Sequence, residues 1–79
     1  MSIKLTLFTK ENCGLCVEAK EVIRSIQLEK EIEIDEVDIY SDDTLLEEYQ
    51  LMIPVIQIDG KTIAYGKIQR NDIINAING

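Results

Sequence analysis

Residues 3–16 read Ile3-Lys4-Leu5-Thr6-Leu7-Phe8-Thr9-Lys10-Glu11-Asn12-Cys13-Gly14-Leu15-Cys16, and this stretch decides the fold. Ile3, Leu5 and Leu7 alternate with Lys4 and Thr6, the two-residue period of a strand with one apolar face. Phe8 extends burial at the strand's end. Thr9–Asn12 is polar and reads as a loop. Leu15, Ala19, Val22 and Ile26 then recur at helical spacing, with Cys16, Ala19 and Ile23 on an adjoining line. Glu18, Lys20, Glu21, Arg24 and Glu29 are left to face water. The spacing predicts a helix from near Cys13 to near Glu29, so both cysteines stand where a strand's loop enters a helix.

Working outward, Ile32–Ile39 reads as a second strand with a phase shift. Ile32 and Ile34 share one face, Val37 and Ile39 the other. Either a strand covered on both faces or a bulge near Glu36 explains that. Ser41, Asp42 and Asp43 open a short second helix, because acids and hydroxyls satisfy free N–H groups there. Leu45, Leu46 and Tyr49 give it an apolar side. Pro54 interrupts, Val55–Ile58 forms a third strand, and Asp59-Gly60 is a two-residue turn suited to a tight hairpin. Thr62–Tyr65 returns as the fourth strand and Gly66 breaks it. Ile68, Ile73, Ile74 and Ile77 lie along a final helix from about Arg70 to Asn78. The order β-α-β-α-β-β-α makes an α/β fold. Its βαβ start implies a parallel pair and its hairpin an antiparallel one, hence a four-stranded mixed sheet with helices on both faces.

Composition bounds the chemistry. A chain of 79 residues fits one domain, residues 1–79, with a thin core that depends on efficient packing of Ile, Leu and Val. There is no histidine, so neither a Ser-His-Asp nor a Cys-His pair can be built within the chain. The net charge of -7 disfavours binding to nucleic-acid phosphates. The chain starts without the long apolar run of a signal peptide, and no run approaches the roughly 18 apolar residues of a membrane span. The expectation is a soluble cytoplasmic protein with no membrane partner. In such a compartment two cysteines argue against a structural disulfide framework.

Cys13-Gly14-Leu15-Cys16 carries the chemistry. A C-x-x-C at a strand-to-helix junction reads as a dithiol redox motif. The thiolate is the nucleophile, and a helix N-terminus stabilises it through free N–H groups and the macrodipole. Cys13 is expected exposed at the helix tip, as the attacking residue. Cys16 is expected one turn on and further in, resolving the mixed disulfide to a redox-active Cys13–Cys16 disulfide. Gly14 lets a partner's backbone approach, and Leu15 offers an apolar contact. Two blander readings stand beside this one. A purely structural disulfide closing so short a loop adds only about 2 kcal/mol and pins nothing remote. Half a metal site completed by another chain is the other. Pro54 admits two readings as well: an ordinary strand-start proline, or a cis Ile53–Pro54 bond.

Taken together, these residues resemble the thioredoxin superfamily, and more closely its small bacterial glutaredoxin-like proteins. The resemblance rests on Leu7-Phe8-Thr9-Lys10 leading to the cysteines and on Val17-Glu18-Ala19-Lys20. It continues through Glu36-Val37-Asp38-Ile39, Tyr49-Gln50-Leu51-Met52-Ile53-Pro54-Val55 and Ile58-Asp59-Gly60-Lys61. It covers nearly the whole chain, in order, and implies a thioredoxin-like fold. It also implies that Cys13 attacks and Cys16 resolves, that Pro54 is the family's cis proline beside the dithiol, and that the Ile53 backbone pairs with an extended substrate strand. Lys10 matches a lysine held near the thiolate. The sequence departs from the family at several points. Gly14-Leu15 replaces Pro-Tyr between the cysteines, Asn12 replaces the thioredoxin Trp, and Gly66 stands alone where glutaredoxins have a Gly pair. Ile3–Thr9 holds no acid.

The resulting expectation is a monomeric thiol–disulfide oxidoreductase acting on disulfide-containing proteins. Its reductant would be a thioredoxin-reductase-like flavoprotein or glutathione. It should bind no flavin or nicotinamide of its own, because the chain has no Gly-rich nucleotide loop. The competing reading is a binding module: a thioredoxin-fold adaptor, or a metal or iron–sulfur carrier pairing two chains through Cys13. From Glu29 to Glu48 there are ten acids and one base, a solvated face and a charged guard for an exposed strand edge, or else a docking face for a basic partner. Lys61, Lys67 and Arg70 are candidates to steer an acidic protein or the carboxylates of glutathione toward the dithiol.

Overall fold

Strand β1 (Ile3–Thr9) is the centre about which the chain arranges itself in a computed structural model that describes residues 3–78. Helix α1 (Gly14–Gln27) returns the chain so that β2 (Ile32–Asp38) lies parallel to β1. A 3₁₀ turn (Ile39–Ser41) and α2 (Asp43–Tyr49) follow. The chain then enters β3 (Val55–Ile58), antiparallel to β1, and β4 (Lys61–Tyr65), antiparallel to β3. Helix α3 (Arg70–Asn78) completes it. The sheet order β2-β1-β3-β4 is the mixed four-stranded sheet that the sequence predicts.

The phase shift in the second strand has its cause in the two faces of this sheet. The β1–β2 register runs unbroken from Ile3↔Ile32 to Thr9↔Asp38, so there is no bulge near Glu36. Ile32 and Ile34 join the cluster under α1 and α3, with Leu5, Leu7, Ala19, Ile23, Ile26, Ile56, Ile68 and Ile73. Val37 and Ile39 turn the other way, to the cluster under α2 with Phe8 and Val55. Phe8 therefore does not prolong the face of Leu5 and Leu7. It buries against α2, because alternation puts residues 7 and 8 on opposite faces. Helix α2 is short and covers only the end of its face that holds Phe8, Val37 and Val55. Further along that face Lys4, Glu33 and Asp35 are exposed. The irregularity in the sheet lies instead between Ile56 and Gln57, opposite β4.

Other departures are local. Leu15 is 41 % exposed, and the buried stripe of α1 is Cys16, Ala19, Ile23 and Ile26, the line adjoining the expected one. The helix stops at Gln27 rather than near Glu29, where N–H groups of Glu29 and Lys30 fold back onto the Ile26 carbonyl. Ile39 begins the 3₁₀ turn instead of ending β2. The Asp38 carboxylate accepts the Tyr40 N–H at 2.9 Å and fixes that change of direction. Ile68 precedes α3 but is buried in the same cluster as Ile73. The Asp59-Gly60 turn has positive φ at both residues (54° and 77°), the backbone a two-residue primed hairpin requires.

Candidate functional site

The cysteine loop is built from the end of β1 and the start of α1. Asn12 adopts φ 56°, a left-handed conformation that asparagine tolerates better than most residues, and it turns the chain into the helix. Cys13 is the N-cap, extended at φ -114° and ψ 106°. Its sulfur accepts the backbone N–H of Cys16 at 3.2 Å, so a cysteine fills the place that Ser, Asp or Asn usually takes. Cys13 and Cys16 are joined in a disulfide, with Cα atoms 5.2 Å apart. Cys13 is half-buried rather than exposed as expected, and Cys16, at 2 % exposed, lies further in as the sequence predicts.

Gly14 and Leu15 lie exposed between them. A Cβ built on Gly14 meets nothing within 4 Å, so packing inside the chain does not require glycine there.

Ile53 and Pro54 reach the same region through the sheet. The β1–β3 register ends at Phe8↔Val55, so Pro54 enters β3 at the same end of the sheet at which β1 leaves toward the cysteine loop. The Ile53–Pro54 peptide is cis, and Pro54 is buried. Two residues that the sequence does not assign to the site hold this segment. The N–H of Gly66 (φ 73°) donates to the carbonyls of Met52 and Pro54, at 3.0 and 2.9 Å. The carbonyl of Tyr49 accepts the N–H groups of Met52 and Ile53, at 2.8 and 3.1 Å. A lone glycine closing the strand after the Ile-Pro pair was the available signal for Gly66. For Tyr49 there was none, because its apolar ring already accounts for it in the pattern of α2.

The charged residues separate. Lys10 is half-buried and lines a groove of ≈ 310 Å³ with Thr9, Glu11, Lys20, Glu36 and Asp38. In the disulfide form it makes no hydrogen bond to either sulfur among the described residues. Lys20 pairs with Glu36, tying α1 to the edge strand β2. Arg70 does not approach the dithiol. It pairs with Glu29 and donates to Ser25 at 2.9 Å, about 18 Å along α1 from Cys13 at 1.5 Å per residue. Lys61 follows the hairpin at the end of the sheet remote from Thr9. Of the three candidate steering cations only Lys67, next to Gly66, lies beside the Ile53–Pro54 segment. No helix among the described residues is long and apolar enough to cross a membrane.

The chain carrying this N-capping, bridged cysteine and a cis proline is similar to known proteins. A family model described as Glutaredoxin-like domain (DUF836) matches residues 4–78. The chain belongs to the glutaredoxin-like domain family. A protein of Methanothermobacter thermautotrophicus named a probable thioredoxin is 32% identical over 81 residues, covering 99% of this chain and 95% of that protein. Among solved structures, protein Ne2328 from Nitrosomonas europaea superposes with a TM-score of 0.81 at 25% identity, over 95% of this chain and 89% of its own. A thioredoxin mutant from Halobacterium salinarum gives a TM-score of 0.66 at 18% identity, over 96% and 72%, a likeness of fold alone. For this glutaredoxin-like protein the thioredoxin-type fold and a bridged C-x-x-C pair of the redox kind are therefore established.

Proposed function

We propose that the protein is a thiol–disulfide oxidoreductase that reduces disulfides in proteins, or mixed disulfides, through Cys13 and Cys16. The observation that carries this reading is the N-cap geometry. The half-buried Cys13 sulfur accepts a backbone N–H at 3.2 Å at the start of a helix, and its bridge partner is 2 % exposed. That N–H and the helix terminus favour negative charge on Cys13 once the bridge is reduced. Lys10, in the groove below, is assigned a supporting charge. The Ile53 backbone and Pro54 are assigned to substrate docking, with Gly14 and Leu15 as the open contact over the bridge.

In the forward direction Cys13 thiolate attacks one sulfur of a substrate disulfide. A bond forms from Cys13 Sγ to that sulfur, and the other substrate sulfur leaves as a thiolate. Cys16 loses its proton and attacks Cys13 Sγ, releasing the second substrate thiolate and forming the intramolecular bridge. Two electrons pass from the dithiol to the substrate. A flavoprotein of the thioredoxin-reductase kind, or two glutathione thiols, restores the dithiol. The reading makes the protein a monomer of the cytoplasm, where thiols are kept reduced and no resident cofactor is needed.

The test is reduction of a protein disulfide, with glutathione and its reductase in one arm and thioredoxin reductase in the other. Turnover in either arm, abolished by Cys13→Ser, is expected. Cys16→Ser should trap substrate covalently on Cys13. Absence of turnover in both arms together with no trapped species would sink the reading.

A further inference from the structure

The groove that holds Lys10 flanks the cysteine loop on one side. In the sheet order β2-β1-β3-β4 the loop leaves from the end of β1, Pro54 enters on the β3 side, and the groove opens on the β2 side. Thr9 and Asp38 are partners in the parallel β1–β2 register, on the face that α1 covers. Glu36, two residues before Asp38, shares that face and pairs with Lys20 of α1, so these two charges cancel across the gap between helix and strand.

What is left in the groove is rich in acceptors. The Asp38 carboxylate is held in place through Oδ1, which accepts the Tyr40 N–H at 2.9 Å, while Oδ2 has no partner among the described residues. Glu11 is exposed and in no ion pair among the described residues. Thr9 is 7 % exposed, yet its hydroxyl only donates, at 3.4 Å to the Lys10 carbonyl, and accepts from no group among the described residues. A hydroxyl has two lone pairs as well as its proton, so a buried one that accepts nothing calls for a donor. With Lys20 spent on Glu36, Lys10 faces two carboxylates, Glu11 and Asp38. The groove therefore keeps an excess of negative charge, in a chain whose net charge is -7.

We propose that this groove is a subsite for a basic side chain of the substrate protein: an arginine near the substrate cysteine sets its guanidinium against Asp38, Glu11 and the Thr9 hydroxyl. The inference rests on the oxidoreductase reading and gives it a substrate class, disulfides flanked by a basic residue. A guanidinium suits three separate acceptors, because it carries five N–H donors in one plane and keeps its charge throughout the working pH range. The groove, of ≈ 310 Å³, lies beside the loop that carries Cys13, so the arginine belongs to the same segment as the reacting cysteine.

The experiment has the unaltered protein reduce pairs of peptide disulfides that carry Arg or Gln at one position at a time around the cysteine. At one position the Arg peptide should be reduced about three- to tenfold faster than its Gln twin at low ionic strength, the worth of a half-exposed charged hydrogen bond. About 1 M salt should shrink that ratio. Glu11→Gln combined with Asp38→Asn should bring the ratio close to one, and Asn keeps an oxygen for the Tyr40 N–H. Glu47→Gln with Glu48→Gln removes the same charge from the exposed side of α2 and should leave the ratio where it is. If no peptide is reduced and none is trapped on the Cys16→Ser protein, the oxidoreductase reading falls and the subsite with it. Reduction of every peptide with no preference for Arg at any position sinks the subsite alone. So does a ratio that survives Glu11→Gln with Asp38→Asn, or one that collapses equally in both double variants.

Discussion

Cys13 and Cys16 differ in exposure although they share one turn of helix, and that difference predicts their reactivity. Reduced protein treated briefly with iodoacetamide should be labelled first at Cys13, because Cys16 is 2 % exposed beneath it. Peptide mapping reads the site directly, and equal labelling of both sulfurs would contradict the geometry. Asn12 makes a second claim at this scale. At φ 56° a β-branched residue is strained, so Asn12→Val should lose about 1–2 kcal/mol while Asn12→Gly loses little, as measured by denaturant unfolding of the oxidised protein. The role of Asn12 could not be seen in the sequence, because a polar loop residue carries no mark of its dihedral. The cysteine spacing was legible because a helix start imposes it. Leu15 misled for a related reason: on a helix its position satisfies the apolar period equally well with the stripe rotated by one residue. Only contact with the sheet selects the line through Cys16 and Ile23.

The elements themselves were mostly legible, since each strand and helix has its own period and its own punctuation at Asp42, Pro54 and Asp59-Gly60. The 3₁₀ turn was not. Ile39 and Tyr40 are good strand formers, and the chain leaves the sheet there because Asp38 caps Tyr40 and Ser41 Oγ donates to the Asp38 carbonyl at 2.6 Å. Tertiary burial of Ile39 overrides local preference. Helix α2 depends on its start. It has seven residues, none fully buried, and Asp42 accepts the Thr44 N–H at 2.8 Å. Asp42→Ala should cost about 1 kcal/mol in urea unfolding, and Asp42→Asn should recover most of it. Because α2 ends in Tyr49, fraying of this helix reaches the Ile53 segment. Asp42→Ala should therefore speed amide exchange at Met52 and Ile53 more than at Ile23. Uniform acceleration across the chain would show that α2 and the Met52–Ile53 segment are not specially linked.

At the scale of the whole molecule, the acid-rich stretch acquires a place. The sheet order leaves β2 as an edge, and its Glu33, Asp35, Glu36 and Asp38 are all exposed. Composition alone showed the charge run but not where it would lie. The topology settles that, because parallel pairing with β1 spends only one side of β2. An edge strand of seven residues is long enough to template another chain, and charge along it is a common guard. Glu36 is engaged with Lys20, so the residues free to act as guards include Glu33 and Asp35 on the face that α2 leaves open. Replacing both by threonine keeps strand propensity and removes two negative charges. The doubly substituted protein should self-associate with rising concentration in sedimentation velocity, at concentrations where the parent does not. Glu18→Thr with Glu21→Thr removes the same charge from the exposed side of α1 and should leave the sedimentation profile unchanged, because a helix surface has no unpaired ladder to offer. Equal association of the two variants would assign the effect to net charge rather than to the edge. If neither associates, the acids of β2 are not guards against pairing of this edge.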